Sequence, residues 1–294
     1  MINLRTIETS VLSLGYLEDG APDATTVVLV HGWPDDALTW NAVARRLVEE
    51  GYRVVRPYLR GFGPTRFRDP GTVRSGQIAA LGQDVVEFSE ALGLSDFLLV
   101  GHDWGARAAY VAATLIPERI RGMVTLSVGH GTSNPDQPLS FHQARQYWYH
   151  WYFAVERGRE ALARDRRDFT GRLWRLWAPS WRYTEEEFDA TAVSFDNPYW
   201  LEISIHSYRH RWGYAEGDPR YDQLERRLSS SALINVPTVM LHGAEDGATL
   251  PETSEGKEAL FTAGYRREVL EGVGHFPQRE RPEKVVVAVQ EVAY

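Results

Sequence analysis

The residues of this chain best able to do chemistry begin with Gly101-His102-Asp103-Trp104-Gly105. An apolar run, Phe97–Val100, leads directly into this pentapeptide, and a helical pattern, Ala106–Ile116, follows it. That is the strand–turn–helix setting of a G-x-nucleophile-x-G elbow. The turn is so tight that the residues two before and two after its apex must be small, and both are glycine here. The apical side chain is pushed out above the sheet, close to a helix N-terminus, where negative charge is favoured. Aspartate at the apex, Asp103, selects the reaction. A serine attacking a saturated carbon would leave an inert ether. An aspartate leaves an ester that water can cleave at the protein's own carbonyl, and its carboxylate is ionised at neutral pH without a base to activate it. The pattern points away from esterase, lipase or peptidase chemistry. It points towards displacement at an alkyl carbon whose leaving group is an epoxide oxygen or a halide.

An alkyl–protein ester needs activated water to cleave it, and histidine is the base suited to neutral pH. Of nine histidines (31, 102, 130, 142, 150, 206, 210, 242 and 275), only His275 lies beyond the last expected strand, Arg266–Leu270. Sites built on such an elbow run nucleophile, acid, histidine along the chain. Glycines 272 and 274 free the His275 loop to aim an imidazole inward. The orienting acid should follow the preceding strand, in Leu241-His242-Gly243-Ala244-Glu245-Asp246-Gly247, where Asp246 is preferred over Glu245. The oxyanion formed during ester cleavage needs two backbone N–H donors. Trp104, after the nucleophile, and Trp33, in the strand-ending His31-Gly32-Trp33-Pro34, are placed to supply them. Neither a metal nor an organic cofactor is required.

The elements that must position these residues are legible as short apolar runs. Thr26–Val30, Arg53–Pro57, Phe97–Val100, Met123–Leu126 and Thr238–Leu241 read as strands buried on both faces of a parallel sheet. Leu38–Glu50, Ile78–Leu92 and Ala106–Ile116 carry apolar residues at helical spacing between them. Such alternation predicts an α/β fold with a doubly wound, mostly parallel sheet. It breaks after Ser127 and resumes at Val236. The stretch from His130 to Leu233 holds twenty of the 35 aromatic residues, most of them expected to pack small helices such as Phe141–Glu156 and Glu185–Val193. The expected organisation is a core at residues 1–130 and 234–294 with a helical cap at 131–233.

Composition excludes other classes. With no cysteine, disulfide frameworks, thiol nucleophiles and Cys-based metal sites are ruled out. Forty acids against 32 bases, a net charge of −8, argue against a nucleic-acid platform. No apolar run approaches the roughly 20 residues of a membrane helix, and the first twenty residues do not read as a signal peptide. A soluble, cytoplasmic protein is expected.

The chain resembles the α/β-hydrolase fold enzymes with an aspartate nucleophile, most closely the epoxide hydrolases. The likeness spans the chain: His31-Gly32-Trp33-Pro34, Arg60-Gly61-Phe62-Gly63, His102-Asp103-Trp104-Gly105-Ala106, His242-Gly243-Ala244-Glu245-Asp246 and Gly272-Val273-Gly274-His275. The resemblance implies a cap inserted after the sixth strand, a cis bond before Pro34, and two cap tyrosines that protonate the epoxide oxygen. These match Tyr149, in Tyr149-His150-Trp151-Tyr152-Phe153, and Tyr208, in Tyr208-Arg209. His150, Trp151 and Arg107 are then candidate pocket residues, the substrate a small apolar or aryl epoxide with water, and the chain a monomer or homodimer. Haloalkane and haloacid dehalogenases share Trp104 or Arg107, but usually carry Asn in place of Trp33 or an acid near Ser127. Receptor-like members of the fold lack an intact set of catalytic residues.

Overall fold

The computed structural model describes residues 3–131, 138–228 and 232–293. The strands are β1 (Leu4–Glu8), β2 (Leu12–Asp19), β3 (Thr26–Val30), β4 (Arg53–Pro57), β5 (Arg66–Phe67), β6 (Phe97–His102), β7 (Ile120–Leu126), β8 (Thr238–Gly243) and β9 (Tyr265–Leu270). They form one sheet in the order β1-β2-β4-β3-β6-β7-β8-β9, with β5 paired to β2. The pairs from β4 to β9 are parallel, whereas β1, β2 and β5 pair antiparallel. Strand order reverses at β3, which has β4 on one side and β6 on the other. The crevice outside the carboxyl ends of β3 and β6 is therefore the topological switch point, where ligands bind in open α/β sheets.

The α-helices are α1 (Asn41–Glu49), α2 (Ile78–Ala91), α3 (Trp104–Leu115), α4 (Phe141–Gln146), α5 (Trp148–Ala154), α6 (Glu156–Arg164), α7 (Arg166–Trp177), α8 (Glu185–Ala192), α9 (Trp200–Arg211), α10 (Asp222–Leu228), α11 (Pro277–Glu280) and α12 (Pro282–Val292). Alternate residues of a strand face opposite sides. Val27 and Leu29 of β3 accordingly pack with Val43 and Leu47 of α1 and Val285 and Val289 of α12. Val28 and Val30 pack on the other side with Leu81 and Val85 of α2 and Ala108 of α3. That second layer runs without a break into the inserted helices, through Tyr149, Phe153, Trp174, Trp177, Trp200 and Tyr208.

Helices α4 to α10 fall between β7 and β8, and β7 is the sixth strand if the two-residue β5 is set aside. Residues 132–137 and 229–231, near the ends of the expected cap at 131–233, lie outside the described residues. The structure departs from the sequence reading in several elements. Strands β1 and β2 were not expected, because β1 is a largely exposed edge with no continuous apolar run. The helix expected over Phe141–Glu156 breaks at Tyr147 and again at the extended Val155. Gly158 lets α6 start against α5: a Cβ there would lie 1.8 Å from the Tyr152 carbonyl oxygen. The helix expected from Leu38 begins as a 3-10 turn, Ala37–Trp40, capped by the Asp36 side chain accepting from the Leu38 N–H.

The elbow is packed from behind as tightly as its glycines imply. A Cβ on Gly105 would lie 2.1 Å from the Val30 carbonyl oxygen, and one on Gly101 would lie 2.3 Å from that of Gly105. These are backbone atoms with no freedom to move aside. Gly105→Ala is expected to force β3 and α3 apart at a cost of about 1–3 kcal/mol, read as a lower midpoint in denaturant unfolding.

Candidate active site

Asp103 stands between the last residue of β6 and the first of α3, at φ 50° and ψ −111°. Positive φ is unusual and costly for a residue with a Cβ, and surrounding structure must impose it. Here the Asp103 N–H donates to the Leu126 carbonyl of β7 (3.2 Å), and the Asp103 carbonyl accepts from the Arg107 N–H of α3 (3.1 Å). The Trp33 N–H donates to Asp103 Oδ1 at 2.9 Å. Gly32 permits that approach, since a Cβ there would lie 2.5 Å from Asp103 Cβ. His31 pins the same loop: its Nδ1 donates to the Gly32 carbonyl and its Nε2 accepts from the Leu59 N–H, each at 3.0 Å. Burial lowers its pKa to about 4, which keeps it neutral in this role. The Trp33–Pro34 peptide is cis.

His275 Nδ1 meets Asp246 Oδ2 at 2.8 Å, and its Nε2 lies 3.9 Å from Asp103 Oδ2. The Asp246 Oδ1 atom accepts from the Ala248 and Thr249 N–H groups at 2.8 and 2.9 Å. Glu245, by contrast, is exposed and hydrogen-bonds Ser180. Burial raises the Asp246 pKa, but the His275 charge and the hydrogen bonds from His242 and His275 outweigh it and hold the carboxyl well below the usual range. Burial likewise lowers His275, and the charge and hydrogen bond of Asp246, with Asp103 adding to them, leave it raised overall.

A base must be neutral to take a proton from water, so its reaction fails as pH falls through its pKa. Were Asp103 esterified, one of the charges that raise His275 would be lost. The midpoint for ester cleavage is therefore expected below that of the free protein's His275. Asp246→Asn removes the largest raising influence and should move the midpoint lower still while slowing the plateau rate. Single-turnover product release across the acid and neutral range measures both.

Two phenols lie close to this group. Tyr149 and Tyr208 are buried, with ring centroids 5.4 Å apart. Trp33 is 5.9 Å from the Tyr149 ring and 5.1 Å from that of Tyr208, and Trp104 is 5.7 Å from Tyr208. Burial first, and then the Asp103 charge, push Tyr208 well above the ordinary phenol range. Burial, Tyr208 and Tyr147 do the same to Tyr149, with Asp103 adding. Both hydroxyls are thus protonated and able to donate. The Trp33 indole N–H donates to Ser204 Oγ of α9 at 2.8 Å, tying the β3 loop to the inserted helices.

The sequence profile of the α/β-hydrolase fold matches residues 25–282. The chain belongs to the α/β-hydrolase fold family. A Klebsiella pneumoniae protein provisionally assigned as an epoxide hydrolase is 37% identical, with 99% of this chain and 97% of that one covered and a TM-score of 0.93. Epoxide hydrolase A of Mycobacterium tuberculosis is 28% identical over 98% of this chain and 96% of its own. Epoxide hydrolase I of potato superposes with a TM-score of 0.80 at 22% identity, covering 99% of this chain and 98% of its own, a likeness of fold alone.

In this α/β-hydrolase the structure brings Asp103, Asp246, His275, Trp33, Trp104, Tyr149 and Tyr208 to one place at the switch point. Arg107 is buried nearby, its pKa lowered by burial and by the charge of Arg211, and raised by Tyr147, Asp103 and Tyr149. His150 is buried, 4.6 Å from the Tyr208 ring. Trp151 is a correction. It is 37% exposed, its indole donates to the Ala144 carbonyl, and its ring packs on Trp212. Two positions after Tyr149, it sits about 200° round α5 and faces away. Among the described residues no cluster of three or more His, Asp or Glu could hold a metal ion, and no helix is long and apolar enough to cross a membrane.

Several site residues escaped the sequence. The Trp177 carbonyl, at the end of α7, accepts from the N–H groups of both His275 and Gly247, at 3.0 and 3.1 Å. It acts through its main chain, which no side-chain pattern announces. Ser127 and His102 both donate to the His275 carbonyl, at 2.9 and 2.7 Å. His242 Nε2 lies 3.3 Å from Asp246 Oδ2 and donates to the Thr249 carbonyl at 2.7 Å. For these three, adjacency to Asp103, to the end of β7 and to Asp246 was the available signal.

Proposed function

We propose that the protein hydrolyses an apolar or aryl epoxide to a vicinal diol through an ester on Asp103. The observation that carries this reading is a carboxylate with Trp33 N–H on Oδ1 and His275 Nε2 3.9 Å from Oδ2, its charge felt by two buried phenols. Asp103 attacks an oxirane carbon opposite the C–O bond, which breaks as the new C–O bond forms. Tyr149 or Tyr208 gives a proton to the departing oxygen, leaving a hydroxyalkyl ester. His275 then takes a proton from water as its oxygen adds to the Asp103 carbonyl carbon. The N–H groups of Trp33 and Trp104 stabilise the resulting oxyanion. Collapse returns the carboxylate and releases the diol, and the His275 proton restores the tyrosine through solvent. The relatives named above support this assignment, and residues 131–233 act as the cap that supplies both tyrosines and an aromatic wall.

Dehalogenation is weaker. The acid paired with His275 follows β8, and position 127 holds a serine bonded to the His275 carbonyl instead of an acid. A receptor-like role would not require the His275–Asp246 pair.

The decisive experiment is a single turnover of an aryl epoxide such as styrene oxide in ¹⁸O-water. The first diol should contain unlabelled oxygen drawn from Asp103, and the label should appear in the protein. Label in that first diol would overturn the ester scheme, and no turnover of any epoxide in a substrate panel would overturn the assignment. Tyr208→Phe is expected to slow ring opening by about 10²-fold, the size usual for a general acid, measured as the rate of ester formation. An unchanged rate would reduce Tyr208 to packing.

A further inference from the structure

Arg211 ends α9, three residues after Tyr208 and so on the same face. Its guanidinium carbon lies 5.2 Å from the Tyr208 ring centroid. Its Nε and Nη2 atoms are buried without a hydrogen-bond partner among the described residues. These two nitrogens form one edge of the guanidinium, the edge that grips a carboxylate as a fork. The protein uses that edge elsewhere. Arg60 holds Asp84 by Nε and Nη2 at 2.6 and 2.7 Å, and Arg266 holds Glu291 by the same pair at 2.7 Å each. Among the described residues no carboxylate pairs with Arg211.

His150 presents a third donor. Its Nδ1 accepts from the Trp212 indole N–H at 3.1 Å. An indole nitrogen can only donate, so the imidazole is neutral and carries its proton on Nε2. That N–H is buried and also without a partner. Burial, and after it the charges of Arg211 and Arg107, hold His150 well below the ordinary histidine range. Arg211 and Arg107 are the charges that act on His150, and the Asp103 carboxylate acts on the neighbouring Arg107, Tyr149 and Tyr208, with the Tyr147 phenol beside Arg107 and Tyr149. Burying cationic and polar donors without acceptors is costly, and an anion accepting from all three relieves that cost.

We propose that Arg211 and His150 form a carboxylate-binding subsite beside Tyr208, so that the substrate joins an apolar body to a carboxylate. The reactive end of such a molecule lies at Asp103, and its acid end on the Arg211 fork. The substrate class is then an epoxide bearing an organic acid, in place of a wholly apolar one. The ring-opening part of this statement rests on the epoxide reading. The anion-binding part does not.

Calorimetry with benzoate and benzamide tests the subsite independently of turnover. The wild-type protein is expected to bind benzoate at least tenfold more tightly than benzamide. Arg211→Gln should erase that preference, and Arg211→Lys should keep part of it. Equal binding of the two probes by the wild type overturns the proposal even if the variants do not fold. So does a preference that survives in a folded Arg211→Gln. Turnover of 4-carboxystyrene oxide beside its carboxamide then separates the two readings. A lower KM for the acid supports both. A benzoate preference with no epoxide turnover leaves the subsite standing and removes the reaction.

Discussion

His275→Gln is expected to leave a protein that opens its epoxide once and then stops, with the substrate held as an ester on Asp103. In the proposed scheme the two half-reactions share Asp103 but draw on different partner side chains. In that scheme ring opening uses the Asp103 carboxylate and the Tyr149 and Tyr208 hydroxyls, which burial keeps protonated. Ester cleavage in that scheme uses water and the imidazole, whose Nδ1 is held by Asp246 at 2.8 Å and whose Nε2 has no hydrogen-bond partner among the described residues. Glutamine fills much of the imidazole's volume but takes no proton from water. Turnover should fall by roughly 10⁴-fold or more, as loss of a base in a coupled catalytic unit does. Intact-protein mass spectrometry should show an added mass equal to the substrate, and digestion should place it on the peptide bearing Asp103. An unmodified protein that is nonetheless inactive would mean that His275 acts in the first step.

Asp103→Ala is expected to abolish turnover, again by roughly 10⁴-fold or more, because the electron pair that displaces the epoxide oxygen is removed. The neighbouring Asp246 carboxylate cannot take its place. Asp246 is turned towards His275 and His242 and is fully engaged by the Ala248 and Thr249 N–H groups. The substitution keeps a Cβ at φ 50°, so the strain of the elbow is retained while the Trp33 N–H loses its acceptor. Circular dichroism and thermal unfolding should stay close to the parent protein, and diol release should be undetectable. Residual turnover above about 1% would transfer the nucleophile's role to water and leave Asp103 as an electrostatic partner, against the usual size of such losses.

The elbow and the side chains grouped around it were legible in the chain because they are residue types with narrow uses in a fixed local setting. Glycines at 101 and 105 around an aspartate, after a continuous apolar run and before a helical pattern, leave little freedom in what the backbone can do there. The two-face burial of β3, β6 and β8 is written in their uninterrupted apolar residues, and so the doubly wound sheet follows from composition alone. The inserted helices were read less well. The helical pattern breaks at Tyr147, whose ring stacks on that of His150 at 4.1 Å, and apolar spacing alone does not mark the break.

What tertiary structure alone decided is where unlike segments meet. The strand-to-loop residues that carry His275 and Asp246 are seated on one carbonyl, that of Trp177, from a helix nearly seventy residues before Asp246 and a hundred before His275. Trp151 turns outward and His150 inward though they are neighbours, since helical rotation and not residue type sets the face. Among the described residues Arg211 has no acidic partner, and residue types alone cannot reveal which charge goes unpaired. Local sequence determines backbone shape over a few residues; the distances between functional groups depend on the packing of whole elements, a property of the folded chain.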